Sequence, residues 1–565
     1  GANYNVAIGH AAGENVSTGT LNTIVGGLAG DAITTGIANT LFGYNAGSAI
    51  TDADGVTAFG KDACELNTSG VNTAFGSNAL ATVTSGTYNT AVGSDALTAT
   101  TGSYNTAVGG LAGDAITSGQ NNTLVGKGAG TDLTTGESNV AIGASALGSE
   151  DTGHDNTAVG FQALTTLNYD GSGYNTAVGR RAGYVVSTGI QNTLIGAGAG
   201  DALTTGSYNT ALGYNALSTE DAHGSNTAIG YQALTTLDAG IEGYNVAVGY
   251  NAGQDMSTGQ RNTLVGTASG ANLTTGIRNV AIGYEALAAE DGNGRAVAIG
   301  YAALKTQNAG SEIYNTAIGY GAAQLLTTGA ENTIIGGLAG DALTTGAYNV
   351  AVGMEALSTE DAHGKNVAIG WRALKVQDAG ADAYNVAIGY EAGTSVISGI
   401  NNVLVGGQAG DSLTTGSYNI AIGRLALATE DADGYNVAIG YAALNTQNAG
   451  AAAYNVAIGH NAGAAVTTGT SNTLYGGQVA SALTDGANNV AIGRAALGTA
   501  QSDSNNIAIG YQALGTQNGA GNAYNVAIGH NAGAAVTTGI RNTFIGGGAG
   551  KAETEQEDNI YIGYN

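Results

Sequence analysis

A five-residue phrase, Asn-(Thr/Val)-(Ala/Leu)-(Ile/Val)-Gly, returns along the whole chain about every 17 residues, a period typical of one supersecondary unit stacked many times. It occurs first at residues 5–9 and last at residues 559–563, and 33 copies fill the 565 residues. The Asn is replaced in only two copies, by Val56 and by Ala296. This repeat constrains the fold more than any other feature.

The spacing of the motif glycines contains a second, longer period. The step from Gly160 to Gly179 is two residues longer than each of the next three steps, and the same longer step returns at every fourth coil after it. One coil in four is therefore longer than the others, and we call it the long coil. We expect one solenoid array over residues 1–565, with less regular coils at 1–159, four-coil blocks at 160–550 and a charged, cap-like coil at 551–565.

The three residues before each motif glycine are β-prone and too few for a helix. Successive side chains of a strand point to opposite faces, so the Ile/Val position lies on one face and the Ala/Leu position on the other. A strand that is apolar on both faces is buried on both. Because a single thin solenoid buries only one face, the pattern predicts an all-β parallel solenoid whose second face packs against a partner chain.

The Asn column is best interpreted as structural. Asn tolerates left-handed turn geometry and hydrogen-bonds neighbouring backbone, and stacked amides form ladders. We therefore expect a scaffold rather than a row of ligand sites. The single cysteine, Cys64, follows a repeat alanine, and we interpret it as a small buried hydrophobe rather than a reactive thiol.

The charge balance excludes several classes of partner. The net charge is −27 with only 15 Lys and Arg, so no basic stripe is available to neutralise phosphates and we expect no nucleic-acid binding. So few basic residues also leave few sites for trypsin-like proteases, which suits an extracellular protein. No apolar run approaches ~18 residues, so we expect no membrane span.

The sequence predicts no enzyme, no catalytic or metal-binding residue and no cofactor. The glycine-rich strings lack the lysine and the βαβ context of nucleotide loops, and the six histidines are scattered, although His223 and His363 share a column. Acidic pairs recur at the period of the four-coil block, and we interpret them as solvated loops rather than calcium sites. These pairs are Glu150-Asp151, Glu220-Asp221, Glu290-Asp291, Glu360-Asp361 and Glu430-Asp431.

The long coils carry the candidate recognition residues. An aromatic residue begins each long coil, just after the motif glycine, and a tyrosine ends it. Aromatics beside polar loops can stack on sugars, and many weak sites add up through avidity; alternatively, both rings pack the longer loop onto the coil. The candidates are Phe161, Tyr174, Tyr231, Tyr244, Tyr301, Tyr314, Trp371, Tyr384, Tyr441, Tyr454, Tyr511 and Tyr524.

The phrase Asn-Val-Ala-Ile-Gly-x-x-Ala, followed by a glycine and then by the phrase again, resembles the head repeats of trimeric autotransporter adhesins. The longer form at residues 208–217 is even more similar to repeats in phage tail fibres and long bacterial surface fibres. The resemblance covers the whole chain and implies a left-handed parallel β-roll in which three chains form a rod. A coiled-coil stalk, a membrane anchor and a chaperone domain, which occur in such proteins, are not recognisable in this sequence.

These observations predict a structural fibre shaft or adhesin on a virion or bacterial surface, with the chain itself as its main partner and cell-surface glycans as a further one. Two alternatives stay open. One is a filament subunit that polymerises head to tail, and the other is an ice-binding solenoid suggested by the Thr columns.

Overall fold

The computed structural model describes residues 3–68, 70–292, 294–432, 434–519 and 521–565. The chain divides into two compact units, Gly1–Asn279 and Val280–Asn565. Each unit is a parallel β-solenoid, and the described residues contain no helix. No helix long and apolar enough to cross a membrane is therefore found in the described part of the chain.

In the first unit every coil contributes one three-residue strand. The strands are β1 Val6–Ile8, β2 Thr23–Val25, β3 Thr40–Phe42, β4 Thr57–Phe59, β5 Thr73–Phe75, β6 Thr90–Val92, β7 Thr106–Val108, β8 Thr123–Val125, β9 Val140–Ile142, β10 Thr157–Val159, β11 Thr176–Val178, β12 Thr193–Ile195, β13 Thr210–Leu212, β14 Thr227–Ile229, β15 Val246–Val248 and β16 Thr263–Val265.

The second unit repeats this arrangement and adds two short strands, β30 and β32, which pair with each other. The strands are β17 Val280–Ile282, β18 Val297–Ile299, β19 Thr316–Ile318, β20 Thr333–Ile335, β21 Val350–Val352, β22 Val367–Ile369, β23 Val386–Ile388, β24 Val403–Val405, β25 Ile420–Ile422, β26 Val437–Ile439, β27 Val456–Ile458, β28 Thr473–Tyr475, β29 Val490–Ile492, β30 Asp503–Ser504, β31 Ile507–Ile509, β32 Gly521–Asn522, β33 Val526–Ile528, β34 Thr543–Ile545 and β35 Ile560–Ile562.

Within each unit, consecutive motif strands pair in parallel and in register. Thr193, Leu194 and Ile195 of β12 lie opposite residues 210–212 of β13, and β21 pairs with β22 in the same way. The in-register stacking puts chemically equivalent residues of successive coils beside one another. The predicted parallel β-solenoid of about 33 coils is thus confirmed.

The core is a narrow column of alanine and leucine. The middle residue of the strand is buried in nearly every coil, and so is the alanine three residues after the motif glycine. Where the strand carries Leu194, the residues at the next core position are Gly183 and Gly200, and a Cβ on either would lie 2.8 Å from a Leu194 methyl carbon. Because interiors are close-packed, the alternation of Gly and Leu keeps the core volume nearly constant.

The Asn column binds successive coils together. The Asn192 Oδ1 accepts a hydrogen bond from the backbone N–H of Asn209 at 2.9 Å, and the Asn192 Nδ2 donates to the Gly206 carbonyl at 2.9 Å and to the Asn175 Oδ1 at 3.2 Å. Equivalent bonds recur along both units. The predicted backbone hydrogen bonds and amide ladder are confirmed.

The prediction of left-handed geometry for the Asn itself was wrong. The residue with positive φ is the one before it, as at Tyr174 (φ 49°) and Tyr244 (φ 50°). The motif Asn itself has no positive φ, and its side chain turns into the coil and reaches the neighbouring backbone. Cys64 is fully buried and free, as expected, and burial raises the pKa of its thiol to about 12.

Candidate functional site

The first and third residues of the motif strands form what we call the outer face. The middle residue of an internal strand is buried, whereas the two residues beside it are half-buried or exposed. The first residue is always Thr, Val or Ile, and the third is always aliphatic or aromatic. In β3, β4 and β5 the third residues are Phe42, Phe59 and Phe75, whose rings stack at 5.2 and 4.9 Å. The outer face is therefore a continuous β-branched and apolar surface within each unit.

A first column of aromatic rings follows the motif glycines, and we call it the leading column. Rings in neighbouring coils lie face to face, with Tyr231 stacked between Tyr214 and Tyr250 at 5.4 and 5.1 Å. Further on, Tyr441 and Tyr511 stack on the histidines of the next coil. The rings follow the 4.7–4.9 Å spacing of paired strands, because each is fixed to a neighbouring rung of the ladder.

A second column, the trailing column, consists of the residues immediately before each motif Asn. Tyr435 stacks between Tyr418 and Tyr454, with 5.1 Å between ring centres on each side. Elsewhere a cation lies over the ring: the Lys365 Nζ is 5.0 Å from the ring centre of Tyr384 and donates a 2.9 Å hydrogen bond to its hydroxyl. Such cation–π contacts orient the ring, and Tyr384 stays 51 % exposed.

The twelve candidate recognition residues all lie in these two columns. Trp371 is half-buried beside Tyr390 and Arg372, and the other eleven are 40–58 % exposed. Exposed, ordered rings of this kind can receive a flat ligand face. Sequence reasoning missed the aromatics of the ordinary coils, although the recurring Gly-Tyr dipeptide signals them. They include Tyr214, Tyr250, Tyr284, Tyr320 and Tyr390 in the leading column and Tyr88, Tyr104, Tyr418 and Tyr435 in the trailing column.

The long-coil loops protrude at a glycine and are anchored at their base. Gly240 (φ 67°) and Gly310 (φ 69°) are exposed, and a Cβ on either would touch nothing within 4 Å. At the base, Leu237 is buried in one block, and Gln377 occupies the equivalent place two blocks later. The Gln377 Oε1 accepts a 2.7 Å hydrogen bond from the Nδ2 of Asn385.

The interpretation of the acidic pairs as solvated loops was wrong for their first members. All five glutamates are fully buried, while their aspartate neighbours are half-buried or exposed. The Glu150 Oε1 accepts a 2.7 Å hydrogen bond from the Gly153 N–H, and burial raises the pKa of Glu150 to about 7. The carboxylate turns inward because it satisfies backbone donors that the coil leaves unpaired, a role that spacing alone does not reveal.

Two of these glutamates belong to clusters of potential metal ligands. Glu220, Asp221, His223 and Asp238 offer ligand atoms within 4.8 Å of one another, and the residues at 360, 361, 363 and 378 repeat the arrangement two blocks later. The structure thus brings together groups that the sequence analysis treated as separate.

Comparison with known proteins identifies no matching protein-family model and no matching curated protein.

Proposed function

We propose that the chain is the shaft of an extracellular fibre, assembled from three copies wound as left-handed β-rolls, on a phage tail or a bacterial surface. The observation that carries the proposal is the outer face. It is apolar or β-branched in every coil, and in the fibre the copies bury it against one another. Burying apolar surface contributes about 25 cal/mol per Å², so a modest gain per coil becomes large over many coils.

The proposed packing of three outer faces against one another also fits the charge distribution. The chain carries 42 Asp and Glu against 15 Lys and Arg. The outer-face positions of the motif strands hold no charged residue, so copies can approach there without like-charge repulsion. Homo-oligomers of closed cyclic symmetry bury the same patch of every copy, as a three-fold axis along the outer face would do.

Native mass determination tests the assembly. We expect a single species at three times the chain mass of 55.2 kDa. A single species at the chain mass, at micromolar concentration and physiological salt, would refute the trimer. A dimer would be compatible with an interface at the outer face but would replace the three-fold symmetry of the assembly by a two-fold one.

We further propose that the aromatic columns bind cell-surface glycans. Several ordered rings at a regular spacing offer repeated stacking sites, and weak single-site affinity is raised by avidity along a fibre. The test is binding of the assembled protein to a panel of immobilised glycans. Tyr231→Ala/Tyr301→Ala should weaken binding to the recognised glycan, whereas Thr205→Ala, an exposed change outside the columns, should leave it unchanged. Equal binding by both variants would mean that the aromatic columns do not bind the glycan.

A run of threonines supports the ice-binding alternative as a second candidate function. The first residue of the strand is Thr in all seven strands from β2 to β8, which gives a regular outward-facing Thr row. Thermal hysteresis measured on the purified protein separates the two functions, because a fibre shaft produces none. Electron microscopy separates the head-to-tail filament, since it would give particles of indefinite length instead of one length.

A further inference from the structure

Two clusters outside the aromatic columns combine three carboxylates with one imidazole. In the first, Glu220, Asp221 and His223 lie in one coil and Asp238 comes from the long coil that follows it. The His223 Nδ1 is 3.4 Å from the Glu220 Oε1, and His363 and Glu360 repeat this contact at 3.5 Å. Each cluster therefore joins two successive coils at the base of a long-coil loop.

The internal repeats show that two of these residues change together. Three residues after the buried glutamate, the sister blocks carry Gly153, Asn293 and Asp433 in place of histidine. At the place equivalent to Asp238, they carry Asn168, Asn308 and Asn448 in place of aspartate. Among these blocks, the histidine and the additional aspartate are thus either both present or both absent. A shared ligand explains such pairing, because each group alone would supply an incomplete site.

The second cluster contains a buried acceptor without a partner. Glu360 is fully buried, its Oε1 accepts a 3.0 Å hydrogen bond from the His363 N–H, and its Oε2 has no hydrogen-bond partner. The His363 Nδ1 makes no hydrogen bond either, although it lies 3.5 Å from the Glu360 Oε1. A buried carboxylate oxygen without a donor is costly, and a cation would satisfy it.

The donor set selects among cations. Calcium and magnesium prefer oxygen donors only, whereas imidazole together with carboxylates suits zinc and its first-row neighbours. Zinc binds such donors in a tetrahedron at about 2.0–2.2 Å, so two donors to one ion lie about 3.4 Å apart. The potential ligand atoms of each cluster lie within 4.8 Å of one another. Closing on one ion therefore needs shifts of roughly 1 Å, which the exposed Asp238 and Asp378 can make. The histidine side chains are 26 and 27 % exposed, which gives an ion access from solvent.

We propose that these two clusters are binding sites for a divalent transition-metal cation, best fitted by Zn²⁺, with one ion at residues 220, 221, 223 and 238 and one at residues 360, 361, 363 and 378. Each ion clamps a long-coil loop to the coil before it. The proposal does not depend on the fibre function.

Isothermal titration of the full-length, metal-free protein with ZnCl₂ tests the proposal. We expect saturable binding of two ions per chain, weaker binding of CaCl₂ under the same conditions, and a thermal midpoint that rises with the Zn²⁺ concentration. His223→Asn/His363→Asn should weaken zinc binding at least about tenfold, the lower effect usual for changes around metal sites. Asn stands at the equivalent place in a sister block, so we expect this variant to fold.

His460→Asn/His530→Asn is the matched control, because it removes two histidines of the leading column and leaves the clusters intact. It should keep two ions per chain. The absence of saturable zinc binding, or equal binding by the two double variants, would overturn the proposal. Should the cluster variant fail to give the native circular dichroism spectrum, Asp238→Asn/Asp378→Asn replaces it, since both side chains are exposed and their sister residues are Asn.

Discussion

The motif glycines are the residues on which the stacking of coils depends most directly. Gly213 has a φ of 142°, and a Cβ added to it would overlap the carbonyl oxygen of Gly230 in the next coil. Two independent constraints therefore act on one position: a backbone conformation that L-residues rarely adopt and a close approach of backbone to backbone. The same pair of constraints recurs at motif glycines along both units.

We predict that Gly213→Ala destabilises the protein far more than Gly240→Ala. The second change introduces only a left-handed alanine at a loop tip in open space, which costs roughly 1–2 kcal/mol. The first also forces two rungs of the ladder apart, so we expect local opening that limited proteolysis detects near residue 213. Equal protease sensitivity of the two variants would show that the close approach relaxes freely.

Glu150 makes stability depend on pH in an unusual direction. Its folded pKa of about 7 lies above the ordinary value of 4.5, so between these values the folded chain holds a proton that the unfolded chain has released. Its contribution to the free energy of unfolding is therefore full below pH 4.5 and disappears as the pH rises to about 7. The difference amounts to about 3 kcal/mol at most.

We predict that Glu150→Gln raises the thermal midpoint relative to the parent protein at pH 8 and that the advantage shrinks towards pH 5. Asp151→Asn removes a neighbouring carboxylate and controls for the change in net charge. A Glu150→Gln advantage that is the same at both pH values would contradict the assignment of the raised pKa to this carboxyl group.

At the scale of the element, the base of the long-coil loop is filled by two different residue types. Its base is filled by Leu167 or Leu237 in early blocks and by glutamine in later ones, where Gln377 bonds to Asn385 and to the Ile397 carbonyl. Asn385 also donates to the Gly399 carbonyl at 2.7 Å, so its amide keeps a partner without the glutamine.

We predict that Gln377→Leu changes the free energy of unfolding by less than about 1.5 kcal/mol, as volume-conserving core changes usually do. Gln377→Ala should destabilise the protein by about 2 kcal/mol or more, because it leaves a cavity and removes the same hydrogen bonds. Chemical denaturation of both variants provides the comparison. Equal destabilisation by the two variants would mean that the hydrogen bonds, and not the filled volume, hold the loop base.

Each motif strand contributes two side chains to the outer face, so a double change in one strand tests that face. We predict that Val386→Glu/Ile388→Glu prevents assembly, because three copies would bring six carboxylates to one level of the proposed axis, while each chain keeps its strand-rich circular dichroism spectrum. The expected native mass is that of one chain, 55.2 kDa. Ala381→Glu, an exposed change in the long-coil loop, should leave the assembled mass unchanged. Assembly by the double variant would place the interface elsewhere.

The repeat, the parallel strands, the buried alanines and the hydrogen-bonding role of Asn could be predicted from the sequence, because each follows from spacing and side-chain chemistry. The positive φ before the Asn could not, since Tyr174 and Tyr244 have no intrinsic preference for that conformation and adopt it because the Asn side chain must face inward. The inward turn of Glu150 was equally hidden, because the donors it satisfies come from the backbones of Gly153 and Tyr169. The metal-ligand clusters require the four-coil blocks to be compared position by position.

At the scale of the whole molecule, stability is a sum over coils and their contacts with immediate neighbours. We predict that deleting residues 180–249, one full four-coil block, leaves a folded protein with an unchanged spectrum per residue, because Gly179 then precedes a coil equivalent to the one removed. A deletion of 180–241 removes a partial block and should abolish cooperative unfolding, since it shifts strand positions out of register. Cooperative thermal unfolding of both deletion variants would contradict the requirement that motif strands of successive coils pair in register.

The hydrogen bonds that join successive coils run along the stacking direction, and this has a mechanical consequence. Within one unit, a pull applied along that direction loads the rungs in series, so the unit yields at its weakest rung because the load is not shared among rungs. The Val56 N–H donates to the Asn39 Oδ1, but Val56 offers no amide oxygen to the coil that follows, so a rung with one cross-link fewer lies there. In the first unit, the rung that follows Val56 is thus one at which we expect tension to separate two coils early.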